Sequence, residues 1–142
     1  MTNNTKLPVW FWIISIAGLV WNLLGVVAYL GQAYMTDEQM ALLPEADQNW
    51  YNNVPAWVTA AFAIAVFAGT LGCIALLLRK RWAVPLFMLS LIGVLAQQVY
   101  NFFLQDYVAI EGTRMIMPIV VILVAGLLYW YSKGAREKAW LT

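Results

Sequence analysis

The sequence predicts an all-α integral membrane protein, a bundle of four transmembrane helices that forms a single domain over residues 1–142. The chain is 63% hydrophobic and only 11% charged, which is far more apolar than a soluble domain requires. It also contains four apolar segments of roughly 17 to 25 residues, the length that crosses about 30 Å of hydrocarbon. The lipid bilayer is therefore the expected solvent and partner.

The positions of the charges predict how these segments are oriented. Three consecutive cations, Arg79-Lys80-Arg81, separate the second apolar segment from the third, and cations next to a span are retained on the cytoplasmic side. This places both termini in the cytoplasm. Of the eight Lys and Arg residues, only Arg114 then lies outside, while the inner ones are Lys6, Arg79, Lys80, Arg81, Lys133, Arg136 and Lys138. The acids are mostly outside, at Asp37, Glu38, Glu45, Asp47, Asp106 and Glu111.

The first span covers residues 9–30 and follows Pro8, which suits the first turn of a helix because its missing N–H would be unpaired there. A cleaved signal peptide is the alternative, but its apolar core has only about 7–15 residues. The outer loop, residues 36–53, opens with Thr36-Asp37-Glu38-Gln39, which fits a capping box. We expect a short helix that stops near Pro44, with its apolar side on the membrane surface or over the mouth of the bundle.

The remaining spans cover residues 55–78, 82–104 and 115–131, and residues 132–142 are a predicted cytoplasmic tail. The second span carries one face of small residues, which let helix backbones approach closely in lipid; its members are Ala61, Ala65, Gly69 and Gly72. We expect this face to pack helices together, and to join subunits of a homo-oligomer or dock the protein on a larger membrane complex.

The first and third spans also resemble each other. Ser15, Gly18 and Asn22 correspond, at one constant offset, to positions in the third span occupied by Ser90, Gly93 and Gln97. Since each pair of spans would run outward and back, duplication would give a parallel repeat of two helical hairpins.

Polar residues within the membrane form a stripe on each of these two spans. The first stripe includes Asn22 and Tyr29, and the second includes Gln97, Tyr100 and Asn101, with Gln98 at its edge. An amide in hydrocarbon is costly unless it is paired. The amides therefore either bond between helices and hold the bundle together, or line a pocket for a neutral polar ligand. The predicted ligand-binding residues are Trp21, Asn22, Tyr29, Gln97, Tyr100 and Asn101.

Missing residue types narrow the function. The chain has no histidine and one cysteine, Cys73, so we expect no metal, no cofactor and no enzymatic activity. No Asp, Glu, Lys or Arg lies within a predicted span, whereas proton- or cation-coupled carriers commonly place an ionisable group there. A membrane enzyme would have to use the loop residues Asp37, Glu38, Asp106, Glu111 and Arg114. A net charge of +1 gives no reason to expect nucleic acid as a partner.

Several motifs spread over nearly the whole chain carry a family resemblance: Val9-Trp10-Phe11-Trp12, Val20-Trp21-Asn22-Leu23-Leu24-Gly25, Val54-Pro55-Ala56-Trp57, Gly69-Thr70-Leu71-Gly72-Cys73, Leu76-Leu77-Leu78-Arg79-Lys80-Arg81-Trp82-Ala83 and Gln97-Gln98-Val99-Tyr100-Asn101-Phe102-Phe103. In these motifs the chain resembles a group of small bacterial four-helix membrane proteins that often carry a provisional sugar-transporter label. The resemblance implies a multi-pass protein of the bacterial inner membrane and favours transport. It assigns no catalytic residue.

The sequence therefore predicts a small membrane protein that binds or passes a neutral, sugar-like polar solute, as an oligomer. The alternative is a non-transporting accessory or scaffold subunit of a larger membrane complex.

Overall fold

Four long apolar helices make up most of the protein. The computed structural model describes residues 7–109 and 112–142, so Lys6 and Glu111 lie outside the described residues. The helices are α1 (Val9–Ala33), α2 (Asp37–Ala41), α3 (Glu45–Asn53), α4 (Ala56–Leu77), α5 (Ala83–Val99) and α6 (Ile116–Glu137). A π-helical turn, Tyr100–Leu104, extends α5, and a 3₁₀ turn, Gly112–Met115, precedes α6. α1, α4, α5 and α6 are long and apolar enough to cross a membrane, which confirms the all-helical fold with four candidate spans.

The helix ends differ from the predicted ones in two respects. Pro8 and Pro55 are N-cap residues with extended backbone, one position before α1 and α4 rather than in their first turns. The fixed φ of proline suits both positions. The last helix continues well past residue 131, because Ser132 Oγ donates to Tyr129 O (2.8 Å) and Ala135 is buried in the core. The length of the apolar segment, which ends at residue 131, therefore underestimated the length of this helix, which ends at Glu137.

One end of the bundle carries the turn Arg79-Lys80-Arg81, and we call it the basic end. α4 stops there in a Schellman motif, in which the N–H of Lys80 donates to Ala75 O (2.8 Å) and that of Arg79 to Leu76 O (2.9 Å). Arg79 has the left-handed φ of 58° that this motif requires. α6 stops in a second Schellman motif, centred on Ala139 with φ 61°.

The two helix ends are hydrogen-bonded to each other. Thr142 N–H donates to Arg79 O (2.8 Å), and Arg81 N–H donates to Thr142 O (3.1 Å). The Arg79 side chain adds a bond from Nε to Trp140 O (2.9 Å). We name residues 79–81 and 140–142 the terminal clasp. Trp140 and Leu141 are buried, so this part of the predicted cytoplasmic tail belongs to the core.

The small-residue face of α4 is filled within the chain. α4 packs against α1 on one side and α5 on the other, and α5 also packs against α6. A Cβ placed on Gly93 of α5 would lie 2.8 Å from Ala61 O and 3.0 Å from Ala65 N, so the α4 and α5 backbones are almost in contact. Gly72 faces the Phe87 ring in the same way. The expectation that this face joins subunits or docks a larger complex is therefore wrong for this surface.

The opposite end, which we call the acidic end, holds α2 and α3. The capping box is present, with Gln39 N–H donating to Thr36 Oγ1 (3.2 Å) and Thr36 N–H donating to Gln39 Oε1 (3.0 Å). The helix it opens ends before Pro44, as predicted, but a second helix, α3, follows at once. Arg114 and Asp47 form an ion pair (3.1 Å) that ties the start of α6 to α3.

Candidate functional site

A cavity of about 440 Å³ lies between the four long helices, in the half of the bundle nearest the acidic end. This volume is within the range of small-molecule sites, about 300–1,000 Å³. Most of the wall is apolar, and α6 contributes only apolar residues. The polar lining, apart from the Trp21 indole, consists of Asn22, Ser90, Gln97, Gln98 and Asn101.

Asn22 of α1 is buried and only partly hydrogen-bonded. Its Nδ2 donates to Gly18 O one turn earlier (2.8 Å) and to Cys73 Sγ of α4 (3.6 Å). Its Oδ1 lies against Gly69, where a Cβ would overlap it. No hydrogen bond to this oxygen comes from the described residues. Because residue 69 is a glycine, there is room for the Asn22 amide beside it. The Oδ1 atom of Asn22 can therefore accept a hydrogen bond from another group.

α5 supplies two polar side chains to the same wall, of which one is hydrogen-bonded to a neighbouring helix and the other is not. Ser90 Oγ donates to Ala65 O of α4 (2.6 Å), so this hydroxyl already links two helices. Gln97 is partly exposed, and its side-chain amide forms no hydrogen bond within residues 7–109 and 112–142. Its primary amide offers two donors and an acceptor to the cavity. Gln97 is therefore the clearest candidate for contacting a ligand.

Gln98, near the end of α5, also lines the cavity. Asn101 Nδ2 donates to Gln98 Oε1 (3.2 Å), and Gln98 is only 7% exposed, although the regular helical pattern placed it at the edge of the stripe. Gln105 fixes the end of the π-helical turn after α5 by donating from Nε2 to Asn101 O (2.8 Å) and Val108 O (2.7 Å). Gln98 was not among the predicted ligand-binding residues, because a position at the edge of a polar stripe does not reveal whether the side chain faces a cavity.

Tyr29 and Tyr100 do not line the cavity, in contrast to the expectation that they form its walls. The Tyr29 ring packs edge-on against Phe62 and Phe67, with centroids 5.6 and 5.7 Å away. Tyr100 is buried and packs on Trp50 of α3 at 6.1 Å. Of the predicted ligand-binding residues, the structure brings together Trp21, Asn22, Gln97 and Asn101. The phenol rings instead pack in aromatic clusters.

The α6 wall of the cavity was not predicted. It includes Met117, Pro118, Val121 and Ala125, and none of these carries a polar group that would mark it as part of a site. Apolar residues that line a cavity and those that face lipid are alike in sequence. Only the packing of the helices separates the two.

The cavity is chemically suited to uncharged polar groups, because its polar lining consists of neutral side chains. Among residues 7–109 and 112–142, no Asp, Glu, Lys or Arg lines the cavity, so these walls hold no charge to neutralise an ionic ligand. Amide groups can donate to and accept from hydroxyl or carbonyl groups. Within the part of the chain that the structure describes, no group of three or more His, Cys, Asp or Glu residues could hold a metal ion.

Comparison with known proteins gives no relative from which a function could be transferred. No family model matches the chain, and no match was found among curated proteins or solved structures.

Proposed function

We propose that this protein is a small integral membrane protein that binds a neutral hydroxylated molecule, or lets it pass, through the amide-lined cavity. The observation that carries the proposal is the state of Gln97, an amide at the wall of a cavity with no hydrogen bond from the described residues. An unpaired amide in an apolar surrounding costs about 1–3 kcal/mol. A ligand that pairs with it recovers this free energy.

We further propose that the protein sits in a bacterial inner membrane with the basic end in the cytoplasm. Support comes from the cations of residues 79–81 and from Lys133, Arg136 and Lys138, which follow the apolar part of α6. The resemblance to small bacterial four-helix membrane proteins with a sugar-transporter label favours the same assignment. In the parallel repeat that we propose, Asn22 and Gln97 are the equivalent amides of the two hairpins.

The test is thermal unfolding of the purified protein in phosphatidylcholine nanodiscs, with a panel of sugars, polyols and neutral glycolipids. A ligand that binds only the folded state adds about 2.7 kcal/mol at 100 times its dissociation constant. We expect at least one hydroxylated compound to raise the midpoint. Gln97→Leu should reduce this shift, to about 1.4 kcal/mol if the affinity falls tenfold. Without ligand, the variant should unfold at the same midpoint or a higher one, because it removes an unpaired amide.

Gln105→Leu is the matched control, because Gln105 is the same residue type near the same helix end but uses its amide in structural hydrogen bonds. We expect this variant to be less stable, by about 1–3 kcal/mol, and to keep the shift with ligand. If no compound shifts the midpoint, or if Gln97→Leu retains the full shift, the proposed site is wrong.

An accessory subunit remains the second candidate, since much of the outer surface of the bundle is available. Only 17% of the most apolar window of α1 and 11% of that of α6 are buried. A partner, including a second copy of the chain, could use these faces, whereas the small-residue face of α4 is filled. Copurification with one partner at fixed stoichiometry, lost when Leu23 and Val27 of α1 are changed to alanine, would support this function.

A further inference from the structure

We infer that the ligand is a neutral amphiphile that enters from the bilayer between α1 and α6, with its polar head on the amides and its hydrocarbon chain along the α1–α6 seam. This inference rests on the proposed function and adds the chemical class of the ligand and its route. Three observations support the inference: the cavity opens between α1 and α6, a second hollow adjoins it, and its polar groups lie on one wall.

The cavity opens between the first and last helices. Most of its lining residues on the α4 and α5 side are buried, and Ala65 and Val94 have only 4% exposure each. By contrast, Leu24 of α1 is 61% exposed and Met117 of α6 is 60% exposed, although both line the same cavity. Both belong to apolar stretches without charged residues. The opening therefore faces hydrocarbon at this depth.

α1 and α6 meet only toward the basic end. A Cβ on Gly18 would be 3.1 Å from Leu128 Cδ2, and nearer the basic end Trp10 packs on Tyr131 with centroids 5.5 Å apart. Toward the acidic end, residues of both helices line the cavity, among them Leu24 and Met117. The seam is thus closed at one end and open at the other.

A second hollow of about 380 Å³ continues along the outside of this seam. It is lined by Ile14, Ala17, Gly18, Trp21, Val124, Leu127, Leu128, Trp130 and Tyr131. Trp21, Val124 and Leu128 line both hollows, so they are adjacent. An apolar chain can lie in the outer hollow while a polar group at its end reaches the inner one.

The polar groups of the inner cavity are concentrated on one wall. Asn22, Gln97, Gln98 and Asn101 are contributed by α1 and the end of α5, whereas the α6 wall is wholly apolar. A freely soluble sugar would leave hydroxyl groups unpaired against that apolar wall, at a cost in free energy. A head with a few hydroxyl or carbonyl groups, attached to a hydrocarbon chain, satisfies both walls. A charged head would find no counter-ion.

The experiment compares three probes by thermal unfolding in phosphatidylcholine nanodiscs: mono-oleoylglycerol, glycerol and oleic acid. We expect mono-oleoylglycerol to raise the midpoint, glycerol to have no effect and oleic acid to have a much smaller one. Gln97→Leu should weaken the apparent affinity for mono-oleoylglycerol about tenfold, the effect of losing one or two hydrogen bonds.

The route is tested with a matched pair of α6 variants. Met117→Trp fills the opening, while Ile116→Trp changes a neighbour that is equally exposed, at 60%, but does not line the cavity. We expect the mono-oleoylglycerol shift to be lost in Met117→Trp and retained in Ile116→Trp. Both variants leave the amides in place.

Three outcomes would overturn the inference. If glycerol or a sugar raises the midpoint and mono-oleoylglycerol does not, the ligand is a soluble solute, and the proposed function stands without this extension. If mono-oleoylglycerol and oleic acid raise the midpoint by the same amount, and do so equally in the parent protein, Gln97→Leu and both tryptophan variants, the compounds act by changing the bilayer and not by binding in the cavity. If neither these probes nor the wider panel has an effect, the proposed function fails as well.

Discussion

Gly93→Ala tests the closest approach between two helices in the bundle. An added Cβ would lie 2.8 Å from Ala61 O, 3.0 Å from Ala65 N and 3.3 Å from Ala65 Cα. All three atoms belong to the α4 backbone, so no side chain can rotate away. α4 and α5 must separate by roughly half an ångström or more to restore ordinary contact. The Ser90 Oγ to Ala65 O hydrogen bond, at 2.6 Å, would lengthen with this movement.

The size of the effect follows from two opposing terms. Overpacking a tightly packed interface costs about 1–3 kcal/mol, whereas replacing glycine by alanine within a helix gains about 1 kcal/mol. We expect the free energy of unfolding to fall by up to about 2 kcal/mol. Gly126→Ala in α6 is the control, because its Cβ would meet nothing within 4 Å and only the helix-propensity gain should remain.

The measurement is equilibrium unfolding of both variants and the parent protein in the same mixed micelles. Gly126→Ala should be as stable as the parent or more so, and Gly93→Ala less stable than either. If Gly93→Ala is stabilised by as much as Gly126→Ala, the two backbones do not approach as described. The account of the α4–α5 interface would then be incorrect.

Three further substitutions test separate parts of the molecule. Gly69→Ala should push the Asn22 amide out of place, so we expect a folded protein whose ligand-dependent midpoint shift is lost. Trp140→Ala removes a buried indole from the terminal clasp and should lower the free energy of unfolding by about 3–5 kcal/mol. Burial and, to a smaller extent, the Asp47 carboxylate raise the pKa of Tyr51 above its ordinary value of 10.0. The contribution of neutral Tyr51 to stability is therefore present below about pH 10 and is lost as the pH rises through the pKa of the folded protein. Asp47→Asn should lower this pKa in an absorbance titration and, by removing an exposed ion pair, cost less than about 1 kcal/mol.

The parts of the fold that were predictable from sequence depend on short-range signals. Apolar segments of membrane-crossing length located all four long helices, and the capping box at Thr36 located α2. α3 was missed because residues 45–53 are mostly polar and have no apolar period. The terminal clasp was missed because it joins residues about sixty positions apart through backbone atoms, which every sequence possesses.

The candidate site was predictable to the extent that amides in hydrocarbon are unusual. Asn22, Gln97 and Asn101 stood out for that reason, and all three line the cavity. Tyr29 and Tyr100 shared the same helical faces, but facing inward does not distinguish a cavity wall from an aromatic cluster. Gln98, at the edge of its stripe, and the opening between α1 and α6 could not be predicted, because both depend on the packing of helices that are distant in sequence.

The terminal clasp also has a consequence for the order of assembly. Each extensive helix contact, α1 with α4, α4 with α5 and α5 with α6, joins neighbours among the long helices, so each can form as soon as the next helix is synthesised and inserted. The clasp instead joins the turn after α4 to residues beyond α6, and closing so long a loop carries an entropic cost that only later contacts repay. Trp140 also packs on Phe11 at 5.8 Å, which connects α1 to the residues that follow α6. The clasp therefore cannot form until synthesis reaches residues 140–142. A chain interrupted earlier lacks the clasp and the Phe11–Trp140 contact, and keeps only contacts such as Trp10 with Tyr131 between α1 and α6.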